Sequence, residues 1–147
     1  EDFQQHVSDV DASVKAAEQR IVQINSELST QKVIQKHCDS YRLCRKVIED
    51  CKSAKNPKEY RSKHLAEYQL HDSLKKELQD LGVTKIPSSN KIQKRIENLV
   101  SEQAATVREK QELQKKQKAL DIIRQNFTAL LNAPEMQIQT QIKEEIL

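Results

Sequence analysis

The feature that most constrains this chain is a heptad seam near its start. Apolar residues recur there at alternating steps of four and three for nearly four repeats. The seam consists of Phe3, Val7, Val10, Val14, Ala17, Ile21, Ile24 and Leu28. This spacing places all of these side chains on one stripe of an α-helix, which is the stripe that a coiled-coil helix buries against a partner helix. The seam therefore predicts a coiled-coil helix.

The helical pattern continues beyond the seam after a change of phase. The slip falls across residues 29–31, and Ile34, Cys38, Tyr41 and Ile48 then resume a helical stripe. Neither Gly nor Pro stands at the slip, so the pattern predicts one long helix over residues 1–52 with a local stutter. The chain has only one Gly and three Pro in 147 residues, which leaves little punctuation for strands and turns and favours an all-α fold.

A second helix is predicted over residues 57–81 from signals at both of its ends. In the run Asn56-Pro57-Lys58-Glu59, Asn is a preferred cap, Pro suits the first helical position and Glu can reach back as in a capping box. Gly82 follows the last helical turn and can adopt the left-handed conformation that closes a helix. Val83 is then placed for the apolar contact that accompanies this motif.

A third helix is predicted over residues 89–131, after a short connection through Ile86-Pro87 and a cap at Ser88 or Ser89. Its seam is polar in the middle, which predicts weak or partner-dependent packing there. Residues 132–147 form a tail that opens with a capping box from Asn132 to Glu135. The tail fits a short helix, but its alternating apolar residues also fit a strand. These apolar residues are Met136, Ile138, Ile142 and Ile146.

These segments together predict one elongated all-α domain. We expect an antiparallel helical hairpin or three-helix coiled coil in which helices 1 and 3 are long and helix 2 is shorter. Because both connections are short, helix 2 is expected to run antiparallel between helices 1 and 3, which would then point the same way. The seam over residues 3–28 would lack an intrachain partner, which predicts homodimerisation or docking on an upstream domain. The predicted oligomerisation residues are Phe3, Val7, Val10, Val14, Ile21, Ile24 and Leu28.

The sequence offers no support for catalysis, a metal site or a membrane span. No glycine-rich phosphate loop, nucleophile elbow or pair of opposed carboxylates is present. His64 and His71 lie seven residues apart on a helix, which is too far for two ligands of one metal, and Cys44 and Cys51 have the same spacing. We therefore expect no enzyme activity, no cofactor, no metal and no small-molecule substrate. No run of about 18 apolar residues exists, so no membrane span is expected.

The most suggestive surface is a basic stripe opposite the seam of helix 3. The candidate nucleic-acid contacts are Lys91, Lys94, Arg108 and Lys115. A row of cations along a helix can follow the phosphates of a nucleic acid. The alternative is that the stripe is an ordinary solvated face, because exposed helix faces are normally charged and the net charge of the chain is only +3. DNA is accordingly a candidate partner.

The order of features from about residue 31 to 131 resembles a known family. The run YRLCRKVIEDCKSAKNPKEYRSKHLAEYQLHDSLKKELQDLGVTKIPS, followed by a long Lys/Glu/Gln-rich helix ending in DIIRQNFTALL, is similar to the region after the catalytic domain in relaxases. These are the mobilisation nucleases of Gram-positive plasmids and conjugative elements. The resemblance implies a bacterial cytoplasmic protein, which agrees with reduced thiols at Cys38, Cys44 and Cys51.

The relaxase resemblance implies an accessory role and not the nicking reaction. In that family a catalytic tyrosine and a histidine-bound metal belong to an earlier domain, and this chain has no His-x-His pair. Tyr41, Tyr60 and Tyr68 lie on predicted helix faces. The expected function is therefore help in DNA binding or relaxosome assembly, with an upstream relaxase domain as a possible partner. The alternative is a structural coiled coil that dimerises or spaces domains without touching nucleic acid.

Overall fold

The computed structural model describes residues 2–132, and this part of the chain is all-α. Its four helices are α1 (Asp2–Lys52), α2 (Pro57–Lys63), α3 (Leu65–Asp80) and α4 (Ser89–Asn132). Residues 2–132 contain no strand, so the predicted all-α class is confirmed. The expectations for a helix or strand after residue 132 lie outside the described residues.

Side-chain caps begin α2 and α4 as the sequence predicts. The Glu59 amide donates to Asn56 Oδ1 at 3.3 Å, and Pro57 occupies the first turn. The Glu59 carboxylate accepts from the Asn56 side-chain amide at 3.5 Å. Of the two serines proposed as the cap of α4, the structure selects Ser88, whose Oγ accepts from the Lys91 amide at 3.2 Å. These contacts satisfy amides that have no partner inside the helix.

The end of α3 is closed at the only glycine of the chain. Gly82 has a φ of +84°. Its amide donates to the Gln79 carbonyl at 3.0 Å, and the Val83 amide donates to the Leu78 carbonyl at 2.8 Å. This pair of bonds defines the Schellman motif. Val83 also packs against the apolar core that contains Leu78, so the predicted glycine cap and its apolar contact are both confirmed.

The helix predicted over residues 57–81 is interrupted at His64. The backbone there has φ −113° and ψ 24°, and His64 both ends α2 and precedes α3. Neither Gly nor Pro stands at this position, so no sequence signal marks the break. The two segments pack differently, because α2 buries no residue whereas α3 buries Leu74 and Leu78. The break separates a surface helix from a core helix.

The described chain divides into two compact units. The central unit is Val22–Ala104. The terminal unit consists of residues 2–21 and 105–132. Helices α1 and α4 contribute residues to both units, whereas α2 and α3 belong to the central unit alone.

Helices α1 and α4 contact each other directly in the central unit and run antiparallel. Near its start within the unit, α1 contributes Asn25, whose Oδ1 accepts from Gln103 Nε2. Further along α1, Gln35 Nε2 donates to Gln93 Oε1 at 2.8 Å. The partner numbers fall along α4 as they rise along α1. The expectation that the first and last long helices point the same way is therefore wrong here.

Helix α3 also runs antiparallel to α1 in the central unit. The Tyr41 and His71 rings stack with centroids 4.6 Å apart, and His37 Nε2 lies 3.2 Å from Glu77 Oε2. Since both α3 and α4 oppose α1, they run parallel to each other. Residues 81–88, between α3 and α4, therefore do not form a tight reversal but lead back along α1. We call them the returning segment.

Arg42 on α1 holds the end of this returning segment. Its guanidinium donates to the Pro87 carbonyl and to Ser89 Oγ, the latter at 2.8 Å, and also contacts Asp39. Arg42 lies five residues beyond His37, a rise of about 8 Å along the helix. Contacts distant in sequence, and not the short length of the connection, set the direction in which α4 starts.

The core of the central unit is apolar and draws on three helices. Cys38, Leu78 and Leu99, from α1, α3 and α4 respectively, have almost no exposed surface. Ile86 in the returning segment packs against this core. The whole cluster is Ile24, Leu28, Ile34, Cys38, Tyr41, Cys44, Leu74, Leu78, Ile92, Ile96 and Leu99.

The phase slip after Leu28 reflects a change of packing partner and no break in α1. Past the slip, the polar side chains of Gln35 and Arg42 contact α4 and the residues just before it. Tyr41 contacts α3, and Ile34 belongs to the same core as Leu78. Past the slip, the apolar stripe of α1 has therefore rotated toward α3, while α1 itself continues to Lys52.

The terminal unit pairs the first part of α1 with the last part of α4. Gln117 Nε2 donates to Asp11 Oδ1 at 2.7 Å, and Lys110 Nζ lies 3.7 Å from Glu18 Oε1. These pairs again define an antiparallel arrangement. The buried side chains among the described residues of this unit are small, namely Val10, Val14, Ala17 and Thr106. The expectation that this seam lacks an intrachain partner is therefore wrong.

Candidate nucleic-acid interface

Two of the four predicted DNA contacts lie on α4 within the central unit. Lys91 and Lys94 are exposed, whereas Ile92 and Ile96 on the same helix are buried in the apolar core. The alternation follows from the helical period, because the apolar positions recur every three or four residues and leave the lysines outside. Neither lysine ammonium group forms an ion pair with another residue of the described chain. Both charges are therefore available to an external anion.

The other two predicted contacts, Arg108 and Lys115, belong to the terminal unit and are also exposed. Lys115 Nζ lies 3.1 Å from Glu112 Oε1, one helical turn away. An exposed pair of this kind is worth about 0.5 kcal/mol or less and is screened by salt. Lys115 can exchange this carboxylate for a phosphate, but it contributes less net positive potential than an unpaired lysine does.

A second basic surface, which sequence reasoning missed, lies at the turn between α1 and α2. We call residues 52–63 the basic end. It carries one carboxylate, Glu59, and five exposed cations. These cations are Lys52, Lys55, Lys58, Arg61 and Lys63. The net charge of residues 52–63 is +4, and the net charge of the wider window 31–81 is also +4. The whole positive excess of the wider window is therefore concentrated in these twelve residues. A narrower charge window would have revealed it.

The framework of the basic end is fixed by contacts to α1 and α3. The Tyr60 hydroxyl donates to the Val47 carbonyl at 3.1 Å, which attaches α2 to α1. The Arg61 guanidinium lies over the Tyr68 ring at 4.9 Å from its centroid. A hydrogen bond with Cys51, followed by partial burial, raises the pKa of Tyr68 above its usual value. Arg61 thus lies on the ring of a tyrosine of α3.

A shallow cavity of about 390 Å³ opens between these side chains. It is lined by Lys58, Arg61, Ser62 and Leu65. The Lys58 and Arg61 cations are donors that an anion can accept from, whereas the Ser62 hydroxyl donates to the Lys58 carbonyl at 3.0 Å. Leu65 is half-exposed at the edge of the cavity. Such a cavity suits a phosphate group better than a buried organic ligand, because it is shallow and two cationic side chains, Lys58 and Arg61, lie at its walls.

The predicted oligomerisation residues are divided between the two units. Phe3, Val7 and Ile21 are half-buried and Val10 and Val14 are buried, all in the terminal unit. The last two residues of the predicted set, Ile24 and Leu28, belong to the core of the central unit. Most of this seam is therefore covered by the chain itself, which removes the reason for expecting a homodimer through it.

The exposed apolar surface of the terminal unit lies instead toward the end of α4. Ile123, Phe127 and Leu131 line a cavity of about 750 Å³ together with Phe3. Phe127 and Leu131 are more than half exposed. An aromatic ring and two aliphatic side chains left in water on one helix are a feature of surfaces that bind other proteins.

The histidines and cysteines of the central unit take part in packing. His71 stacks on Tyr41, and His64 lies beside Tyr60 with ring centroids 4.3 Å apart. Burial raises the pKa of the Cys38 thiol above its ordinary value of 9.0, with smaller contributions from nearby charges. Within residues 2–132, no three His, Cys, Asp or Glu side chains converge as a metal site would require.

The described residues thus form an all-α fold, and exposed cations lie on α4 and at the basic end. No protein-family model, curated protein or solved structure matches the chain. The resemblance to relaxases therefore remains an expectation from the residues quoted for it. None of the described helices has a stretch long and apolar enough to cross a membrane.

Proposed function

We propose that this chain is a non-catalytic accessory segment of a relaxase from a plasmid or conjugative element, and that it assists DNA binding or relaxosome assembly. The observation that carries the proposal is the exposure of Lys91 and Lys94, without ion-pair partners in the described chain, beside the buried Ile92 and Ile96. Packing holds the helix while its cations remain free to meet phosphates. The relaxase context is supported by the sequence similarity alone.

The proposed mode of binding is electrostatic and largely independent of base sequence. Long lysine and arginine side chains on the outside of a helix reach the phosphate backbone, whereas base recognition requires an element that enters a groove. The proposal also includes a coiled-coil packing of α1, α3 and α4 in the central unit. This packing would hold the part of α4 that carries Lys91 and Lys94 against the core of the central unit.

The test is DNA binding by the whole chain and by a variant in which Lys91, Lys94, Arg108 and Lys115 are replaced with Gln. Gln is nearly as good a helix former as Lys or Arg, so the helices should be retained. These four residues should contribute about −3 to −4 to the slope of a log–log plot of affinity against salt. The variant should bind more weakly with a shallower slope.

A matched control replaces Lys32, Lys36, Lys75 and Lys76 with Gln, since all four are exposed and lie elsewhere in the central unit. If both variants lose affinity equally, only net charge matters and the α4 surface is not a defined contact. If the α4 variant binds as tightly as the wild-type chain with the same slope, that surface is a solvated face.

The second candidate function is a structural coiled coil that dimerises or spaces domains without contacting nucleic acid. The exposed Ile123, Phe127 and Leu131 favour this alternative, because apolar side chains in water are stabilised by a protein partner. Sedimentation of the wild-type chain and of Phe127→Ser should separate the possibilities. A concentration-dependent dimer that the substitution dissociates, with no DNA binding by either protein, would replace the first proposal.

A further inference from the structure

We infer that the basic end, residues 52–63, is a second phosphate-binding surface that docks the backbone of a nucleic acid. This inference rests on the proposed function in taking nucleic acid as the partner, but it assigns the contact to other residues. The cavity between Lys58, Arg61 and Ser62 would receive one phosphate. Lys52 and Lys55 would meet its neighbours along the strand.

The basic end concentrates cations that form no ion pair with a described residue. Such lysines also occur elsewhere, as at Lys91 and Lys94, but here three of them fall within seven residues. Within the basic end, Glu59 pairs with Lys63 at 3.3 Å. No ion pair with a described residue engages Lys52, Lys55 or Lys58, so no carboxylate of the described chain neutralises these three charges.

The cations of the basic end lie on a backbone that is ordered by contacts to α1. Asn56 caps α2, and the Cys51 thiol lies 3.6 Å from the Pro57 carbonyl oxygen, which joins α2 to the end of α1. Tyr60 adds the bond to Val47. Surfaces that are already ordered lose less conformational entropy when they bind a ligand. A tail of lysines with the same charge would lack this advantage.

The Arg61 side chain is held in a defined orientation by an aromatic ring. Its guanidinium rests on the Tyr68 ring, which favours one orientation of a group whose planar fork matches two phosphate oxygens. Lys can supply the charge at this position but not the planar contact. The arrangement favours an oxyanion that presents two oxygens, such as a phosphate diester, over a simple halide.

The chemistry of the basic end favours nucleic acid over an anionic membrane. A helix that lies on a membrane inserts a broad apolar face between the headgroups. In α2 and its immediate neighbours, Leu65 is the one large aliphatic side chain beside the cations, and it stands at the edge of the cavity. Phosphates arranged along a strand need only the donors that this surface presents.

The test uses the whole chain carrying Lys52→Gln, Lys55→Gln and Lys58→Gln. Binding to labelled single-stranded and duplex DNA is measured by fluorescence anisotropy over a salt series, and helicity is checked by circular dichroism. Loss of three phosphate contacts should weaken binding roughly tenfold or more at 0.1 M salt and reduce the salt slope by about two to three units. The control, with Lys32, Lys36 and Lys76 replaced by Gln, should change the slope by less than one unit.

The outcomes separate this inference from the proposed function. If the basic-end variant binds like its control while the α4 variant loses binding, the inference is wrong and the α4 surface stands. If only the basic-end variant loses binding, the inference holds and the α4 surface fails. No binding by the wild-type chain at low salt overturns both. Tighter binding to phosphatidylserine vesicles than to DNA, lost in the basic-end variant, would assign the surface to membranes and overturn the inference.

Discussion

The central and terminal units use the same two long helices but bury very different side chains. In the central unit, α3 completes a core with Leu78 and Leu99 at 1% and 0% exposure. In the terminal unit, the described buried positions are Val10, Val14, Ala17 and Thr106, and polar pairs such as Asp11 with Gln117 accompany them. A heptad seam therefore defines where a helix packs, but the opposing residues decide how strongly it is held.

The largest expected effect separates the two cores. Leu78→Ala should destabilise the central unit by about 3 kcal/mol, because it removes a fully buried leucine and leaves a cavity. Val14→Ala removes two methyl groups from the terminal unit and should cost about 1.5 kcal/mol. Urea unfolding followed by circular dichroism gives the totals, and amide hydrogen exchange gives their location. Leu43→Ala is the control, since Leu43 is 69% exposed.

A cost of Val14→Ala equal to that of Leu78→Ala would mean that the terminal unit is packed as tightly around Val14 as the central unit is around Leu78. Different costs with separate exchange patterns would mean that the terminal unit opens first.

A second prediction concerns the returning segment of the central unit. Arg42→Met removes the donors to Pro87 and Ser89 and should cost about 1–2 kcal/mol, because charged hydrogen bonds of this kind are worth that much. Hydrogen exchange should accelerate in residues 83–88. Arg45→Met is the matched control, since Arg45 contacts Glu49 within its own helix at 3.4 Å. Equal effects of the two substitutions would show that Arg42 does not hold the segment.

A third prediction tests the glycine at the end of α3. Gly82→Ala should cost about 1 kcal/mol, because an alanine at φ +84° is strained. A β-carbon at this position would meet no atom within 4 Å, so the cost arises from the backbone alone. Asn tolerates the left-handed region better, and Gly82→Asn should therefore retain more of the stability. Thermal unfolding measures both, and an Asn variant less stable than the Ala variant would contradict the explanation.

The smallest expected effect is a selective loss of stability at alkaline pH. Burial, the largest cause in each case, raises the pKa of Cys38 and Cys44 above their ordinary 9.0 and that of Tyr60 above its ordinary 10.0. A group that titrates higher in the folded state stabilises the fold below its unfolded pKa and loses this contribution as the pH rises through its folded pKa. The central unit should therefore weaken above about pH 9.

The described residues of the terminal unit contain neither Cys nor Tyr. Hydrogen exchange between pH 8 and 10.5, corrected for the intrinsic rate, should consequently show loosening in the central unit first. Replacing Cys38 and Cys44 together with Ala should flatten this pH dependence, whatever its effect on stability at neutral pH. An equal pH response of the two units would exclude the thiols and phenols as its source.

The candidate site was only partly accessible to reasoning from the sequence. The helical period alone places Lys91 and Lys94 away from the apolar stripe of α4. The basic end is hard to recognise from the sequence, because over residues 31–81 the same net charge of +4 is spread across 51 residues with eight acidic side chains among them. Its compactness depends on contacts that join α2 to α1 and α3, such as those of Tyr60 and Tyr68, and these residues are separated in sequence by a turn or a helix.

The sequence by itself determined the all-α class, the seam of α1, the caps at Asn56 and Gly82, and a serine cap at residue 88 or 89. Each of these depends on residues within one or two turns, where the helical period and the unpaired amides and carbonyls of helix ends leave few choices. The antiparallel pairing of α1 with α4 and the break at His64 were decided only in the tertiary structure. Direction depends on which distant surfaces bury each other, and in the central unit Arg42 and the apolar core draw the segment after Gly82 back along α1.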